Sequence, residues 1–550
     1  MSDTEHAKRR SFAGVADRLA TKLPASLKVR GDAAFTRLIV VAFFFIGAAG
    51  ILHHEMWRDE LQAWLIARDS ASLGDLFYNL RYEKHPGLWH LCLYFISRFT
   101  TNPLAMQLFH LGIAAGVVYL FAKFSPFTKL QKLLFTFGYF PFYEYAIISR
   151  CYALGLLLTF IYCALYSKHR KNYLALLCVL ALLANTSVYG LILAVAFGLA
   201  LLLRVVLNDH PSNSQPGKRW SLAGGAAIFI LSVAASLIQI IPPPQGAIES
   251  EQNTLANVFD KRLAVTSRNK DRAVRALTKV WESYAPVPKV SSPNFWNTNI
   301  LMVFPNHVQR RLSLGLSLLL LATATIIFAR RPVVCSLYLA GNVGLLLFIY
   351  SVYPGYIRHH GHLFILLISC LWISETELQS NWIGLGITRA SDVLNTYRSK
   401  IVTTLLGVHL AAGVFAVTKE FREPFSTSRK AAAFIRQFGA GDVLIVGSPD
   451  NTTNFIPGYL GREIYYLEKS DFGSFTVWSK YRKEVSPEEA IGKVSALIEA
   501  QNKDVLFVSN YALDSITPLL DIAELASFTG SVVEDENFYV YLIRKKPLFK

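Results

Sequence analysis

FTRLIVVAFFFIGAAGILHHEMWRDELQAWLIARDS, residues 35–70, joins an uninterrupted apolar run to a cluster of charge. The run 35–53 is long enough to cross the roughly 30 Å hydrocarbon core of a bilayer. Arg58, Asp59 and Glu60 follow where such a helix leaves the lipid. Charge this close to hydrocarbon is costly unless it pairs, binds or reacts.

The apolar pattern recurs downstream, at 104–122, 132–148, 151–167, 172–185, 188–207, 221–241, 312–329, 333–352, 361–374 and 401–418. With the first run these make eleven candidate crossings of a polytopic α-helical membrane protein. The stretch 86–99 is apolar but spans only about 21 Å as a helix, so it is read as interfacial or re-entrant. Composition agrees. The 550 residues are 53% hydrophobic and only 17% charged, too few charges for a soluble chain of this length.

Net charge is +17, unevenly spread. Residues 420–550 carry 15 Lys/Arg against 18 Asp/Glu, so the apolar part holds about +20. The excess lies in short loops such as "SKHRKN" and "NTYRSK", which is the positive-inside pattern and not a nucleic-acid surface. Eleven crossings from a cytoplasmic N-terminus put these basic loops inside. They put "WRDE", "YEYAIISR", "YPGYIRHHGH" and the tail outside. The polar leader of more than 30 residues argues against a cleaved signal peptide. Cys92, Cys151, Cys163, Cys178, Cys335 and Cys370 all fall in apolar segments, with no disulfide framework or zinc spacing.

The tail alternates "DVLIV", "EIYYL", "DVLFVS" and "FYVYLIR" with helical stretches such as "SPEEAIGKVSALIEAQ", which predicts a small α/β domain. The expected division is a cytoplasmic segment 1–34, a transmembrane domain 35–419 with outer loops 54–90 and 242–310, and an extracytoplasmic α/β domain 420–550.

Four outer loops carry chemistry. In the first, Leu61, Trp64 and Leu65 share a helical face, and "SLGD", Ser72 to Asp75, has the form of a capping box before Leu76, Phe77 and Leu80. Such surface helices present Asp59 and Glu60 to an interfacial cavity; the plainer reading is a charged helix anchor. In "RYEKHPGLWH", Glu83, Lys84 and His85 precede Pro86, which suits a helix start and an anion beside it. A Glu83–Lys84 surface pair is the simpler alternative. In "PFYEYAIISRCYAL", Arg150 sits at the membrane boundary as a phosphate-binding cation or as the partner of Glu144. In "SVYPGYIRHHGHLF", Arg358, His359, His360 and His362 are a phosphate, metal or proton-relay cluster. His359 and His362 have the spacing for one metal, but companion ligands are too few, and a phosphate contact is favoured.

The order is a first span, an acidic outer loop, Glu-Lys-His-Pro, Arg-x-Tyr and an outer tail. This resembles the GT-C glycosyltransferases, which include the protein O-mannosyltransferases and the lipid A aminoarabinose transferases. It is most similar to the bacterial RgtA/B/C/D-like branch. The resemblance implies a glycosyltransferase in the bacterial inner membrane, with its site on the outer face. The donor would be a polyprenyl-phosphate sugar and the acceptor a glycan, lipid or protein hydroxyl; no nucleic acid is involved. It implies Asp59 as catalytic base with Glu60 beside it, and Lys84, Arg150 and Arg358 on the donor phosphate. Glu83, His85, Tyr152 and His359 then contact substrate. Gly87 replaces the second proline of the mannosyltransferase turn. No cofactor is called for, and metal dependence is left open. The competing class is a transporter or flippase of an anionic lipid-linked substrate.

Overall fold

The computed structural model describes residues 25–208, 216–243, 267–380, 382, 384–439, 443–513 and 520–546. Most of the expected N-terminal segment 1–34 and residues 244–266 of the loop 242–310 lie outside these. Among the described residues, seven helices are long and apolar enough to cross a membrane. They are Gly31–His53, Leu104–Phe124, Val188–Leu207, Arg219–Ile240, Asn306–Phe328, Pro332–Ser351 and Leu385–Glu420. The chain is a multi-pass helical membrane protein with a small C-terminal sheet domain.

The other four expected runs are not among these seven, and they are built in different ways. The run 172–185 becomes the 12-residue helix Tyr173–Ala184, and 361–374 becomes the 17-residue helix Ile357–Ile373. The run 151–167 is the helix Tyr152–His169. The run 132–148 is not one α-helix: it divides at Gly138 into Lys129–Thr136 and a π-helical stretch, Tyr139–Ile147. π-helical turns occur often at functional sites, and this one leads directly into Arg150.

Four helices build the first span and the segment after it. α1 (Ala25–His53) is the first span; α2 (Arg58–Asp69), α3 (Leu73–Leu80) and α4 (Leu88–Ser97) follow. α2 buries Leu61, Trp64 and Leu65, the face that its spacing predicts. Ser72 and Asp75 close a reciprocal capping box at the start of α3, where Leu76 and Leu80 are buried but Phe77 is half exposed. α4 is ten residues long, about 15 Å, too short to cross, and it packs on α2.

The C-terminal sheet has the order β3-β2-β1-β4-β6-β5. β1 (Leu444–Ser448) runs parallel to β2 (Ile464–Tyr466) and to β4 (Val505–Ser509). β3 (Asp471–Gly473), β5 (Leu520–Phe528) and β6 (Phe538–Lys545) complete it by antiparallel pairing. The sequence pattern predicts β1, β2, β4 and β6; β3 and β5 lack its continuous apolar character. This domain is stitched along α2. Arg68 donates to the Pro457 carbonyl at 3.0 Å, Asn454 to the Arg58 carbonyl at 3.1 Å, and Ser428 to the Met56 carbonyl at 3.0 Å.

Candidate active site

Between the helical domain and the sheet domain lies a cavity of about 730 Å3. α2 supplies Arg58, Asp59 and Gln62, and the loop before α4 supplies Glu83 and His85. Arg150 comes from the break after the π-helical stretch, and Arg358 from the first turn of Ile357–Ile373. Gly361 lets that helix lie close: a Cβ there would collide with the Tyr145 hydroxyl and the Phe140 ring. Tyr145 in turn donates to the Arg358 carbonyl at 2.7 Å, fixing the arginine's backbone.

Asp59 is clasped by both arginines. Its Oδ2 lies 2.9 Å from Arg150 Nη1 and 3.3 Å from Arg358 Nη2. The expected alternative, an Arg150–Glu144 pair, does not form, because Glu144 accepts from Tyr139 and Trp296 instead, each at 2.9 Å. Arg358 sits among three rings, 5.0 Å from Trp57, 5.1 Å from Trp296 and 4.8 Å from Tyr356. Its Nε and Nη1 are buried without a hydrogen-bond partner in the protein. Buried guanidinium donors left unsatisfied are unusual, and they suit an anion bound in the adjoining cavity.

Charge states follow from this packing. Burial would raise the Asp59 carboxyl, but Arg150 and Arg358 outweigh it and hold it below its usual value. Glu83 has the opposite balance. Burial pushes it up to about 7, against the hydrogen bond from Gln62. Burial, reinforced by Arg150, pushes His85 down to about 4, so its imidazole is neutral at pH 7.

The remaining expected site residues are more dispersed. Glu60 does not line the cavity. Its carboxylate is fully buried, 2.8 Å from His54 Nε2, and accepts from the Ser149 amide at 2.6 Å and the Trp57 amide at 3.3 Å. Lys84 lies on the exposed side of its loop in a left-handed conformation, φ 56°, outside the cavity lining. Tyr152 is buried behind Arg150, with its ring 5.9 Å from the guanidinium. His359 turns away: Nδ1 accepts from the Tyr356 amide at 2.8 Å and its ring stacks on Tyr189. The spacing that made His359 and His362 a metal candidate is used internally, because His362 Nδ1 lies 2.9 Å from the His359 carbonyl.

The sequence reading missed one wall. Asn451, Asn454, Thr476, Trp478, Glu534 and Asp535 of the sheet domain face the cavity. Arg58 links the two halves, with Nη1 2.6 Å from Asp535 Oδ2 and its amide donating to Glu536 at 3.3 Å. Burial pushes Glu536 up to about 8, against the pull of Arg58. Gln62 was also missed, although its position one helical turn after Asp59 places it on the same face.

No protein-family model and no curated protein matches the chain. Among solved structures it is similar to the crystal structure of ArnT from Cupriavidus metallidurans bound to undecaprenyl phosphate. Identity is 13% and the TM-score 0.46, over 94% of this chain and 98% of that one.

Proposed function

We propose that the protein is a membrane glycosyltransferase that moves a sugar from a polyprenyl-phosphate carrier to an acceptor hydroxyl. The observation that carries this reading is the Arg150–Asp59–Arg358 cluster on the cavity wall, with two Arg358 donors unspent. Two guanidiniums beside the start of a 17-residue helix form a strong phosphate site. They would bind the carrier phosphate and stabilise the charge that develops on it as the sugar leaves. Lys84, exposed between the lining residues Glu83 and His85, would meet the phosphate as it enters. Asp59 would keep the two guanidiniums aligned, and Asp59 and Glu83 are the two carboxylates of the first outer loop that face the reacting centre. His85, neutral, can hydrogen-bond a sugar hydroxyl.

The sheet domain would supply the acceptor side. Its Asn451, Thr476, Trp478 and Asp535 combine an aromatic face with polar groups, a mixture suited to a carbohydrate or a glycolipid headgroup. The basic short loops support an extracytoplasmic cavity and tail.

The test uses purified protein in nanodiscs, radiolabelled polyprenyl-phosphate hexoses and pentoses, and a whole cell-envelope extract as the acceptor pool. The expected result is label leaving the polyprenyl carrier for another molecule. Label that stays on the carrier with every donor would overturn the reading.

A further inference from the structure

On the side away from the sheet domain the cavity is lined by two carboxylates of different character, Asp59 and Glu83, and the difference bears on which one takes the acceptor's proton. This question rests on the glycosyl-transfer reading above. The resemblance puts the base at Asp59. Asp59, however, is already committed: one oxygen serves both Arg150 and Arg358 at hydrogen-bond distance. A carboxylate neutralised by two guanidiniums has little affinity for a proton.

Glu83 is placed otherwise. It lines the same cavity from the loop before α4, and its Oε1 accepts from Gln62 Nε2 at 2.8 Å. Gln62 has only one possible orientation. Its Oε1 accepts from the Thr476 amide at 3.0 Å, and its Nε2 donates to the Thr476 carbonyl at 2.8 Å. A backbone amide can only donate, so the side-chain oxygen must face it and the nitrogen must face Glu83. The sheet domain thereby sets the Gln62 amide, and the amide sets the Glu83 carboxylate.

We infer that Glu83 is the catalytic base, held by a Thr476–Gln62 bracket, and that Asp59 is a positioning residue for the two arginines. In the step so assigned, the acceptor oxygen forms its bond to the anomeric carbon, and its proton passes to the Glu83 carboxylate. The bond between the anomeric carbon and the phosphate oxygen breaks. Its electron pair stays on the phosphate, between Arg150 and Arg358, and polyprenyl phosphate departs. The bracket gives the sheet domain a part in the reaction. A docked domain fixes the base, and a displaced one releases it.

The charged and titratable groups around Glu83 are Asp59 of α2, Lys84 and His85 of its own loop, and Arg150 across the cavity. Their balance with burial places its titration near pH 7. A base must be deprotonated, so transfer falls as pH drops below about 7.

The experiment is the pH profile of transfer by full-length protein in nanodiscs, with the labelled donor that the wild type turns over and the envelope extract as acceptor. Glu83→Gln is expected to lose about 100-fold or more in transfer, with a flat residual profile and with polyprenyl phosphate binding within a few-fold of wild type. Asp59→Asn is expected to lose turnover while keeping an acidic limb, with its midpoint moved to lower pH because one negative charge beside Glu83 is gone. Gln62→Leu removes a bond that favours the charged carboxylate, so its limb moves to higher pH. This variant also tests the assignment if Glu83→Gln fails to fold. A Glu83→Gln enzyme that keeps the wild-type limb, an Asp59→Asn enzyme with no acidic limb, or a Gln62→Leu midpoint that stays in place would overturn the assignment. A wild type inactive with every donor would instead remove the parent reading, and this inference with it.

Discussion

Glu60 accepts a hydrogen bond from the Ser149 backbone amide at 2.6 Å, and this contact ties the helix carrying Asp59 to the segment carrying Arg150. The other end of the same carboxylate meets His54 at 2.8 Å, whose Nδ1 lies 2.6 Å from Glu420. The end of the first span, α2, the segment before Arg150 and the end of the last long helix therefore share one buried polar network. Breaking such a network on one side leaves an uncompensated charge and costs about 3–5 kcal/mol. Glu60→Ala should lower the thermal midpoint strongly and lose transfer with it, whereas Asp59→Asn should remain folded. A Glu60→Ala protein of wild-type stability would contradict this.

His54 adds a pH dependence to the same network. Burial alone would lower its imidazole, but Glu60 and Glu420 outweigh burial and raise it to about 10 from the usual 6.5. A raised value means that the protonated form is the one folding favours. Its contribution is complete below 6.5 and is lost as pH rises through about 10. The thermal midpoint of wild type should fall across that window more steeply than that of His54→Gln, measured in the same detergent. Parallel curves would mean that His54 does not titrate there.

Lys84 offers a separation of stability from activity. At φ 56° a non-glycine residue carries about 1–2 kcal/mol of backbone strain. Lys84→Gly relieves it, and the side chain is exposed, so little packing is lost. The variant should melt at or above the wild-type midpoint yet transfer more slowly. Full transfer by a more stable Lys84→Gly protein would reduce Lys84 to a turn residue.

The sequence made the arginines legible for a simple reason. A charge between two apolar runs has few uses, so Arg150 and Arg358 stood out before any geometry was known. Glu83 and His85 stood out because Pro86 marks a helix start beside them. What stayed hidden depends on distance along the chain. Thr476 meets Gln62 across 414 residues, and no local pattern announces that pair. Adjacent residues on a helix point about 100° apart, which foretold that Asp59 and Glu60 would part, but not that Glu60 would turn into the protein toward His54. The division of 132–148 at Gly138 was hidden as well, because a π-helical stretch has the same apolar composition as a span. Phe77 is half exposed although its spacing puts it with Leu76 and Leu80, since α3 buries only a narrow stripe.

Arg58 tests the docking of the sheet domain. It faces Asp535 and the buried Glu536 across the interface. Arg58→Met should loosen that contact, seen as faster limited proteolysis between residues 420 and 430, and it should slow transfer by disturbing the Gln62 bracket. Unchanged proteolysis together with unchanged transfer would show that the remaining contacts along α2 suffice.

The central claim concerns the bond between sugar and phosphate, and Arg358→Lys addresses it most directly. Lysine keeps the charge but loses the planar fork whose Nε and Nη1 stand unpartnered beside the cavity. With labelled polyprenyl-phosphate sugar in sealed proteoliposomes, the wild type should break the bond and move the label to an acceptor. Arg358→Lys should do so about 100-fold more slowly, with the protein still folded. Label that crosses the bilayer still attached to its carrier, at equal rates in both proteins, would contradict the account.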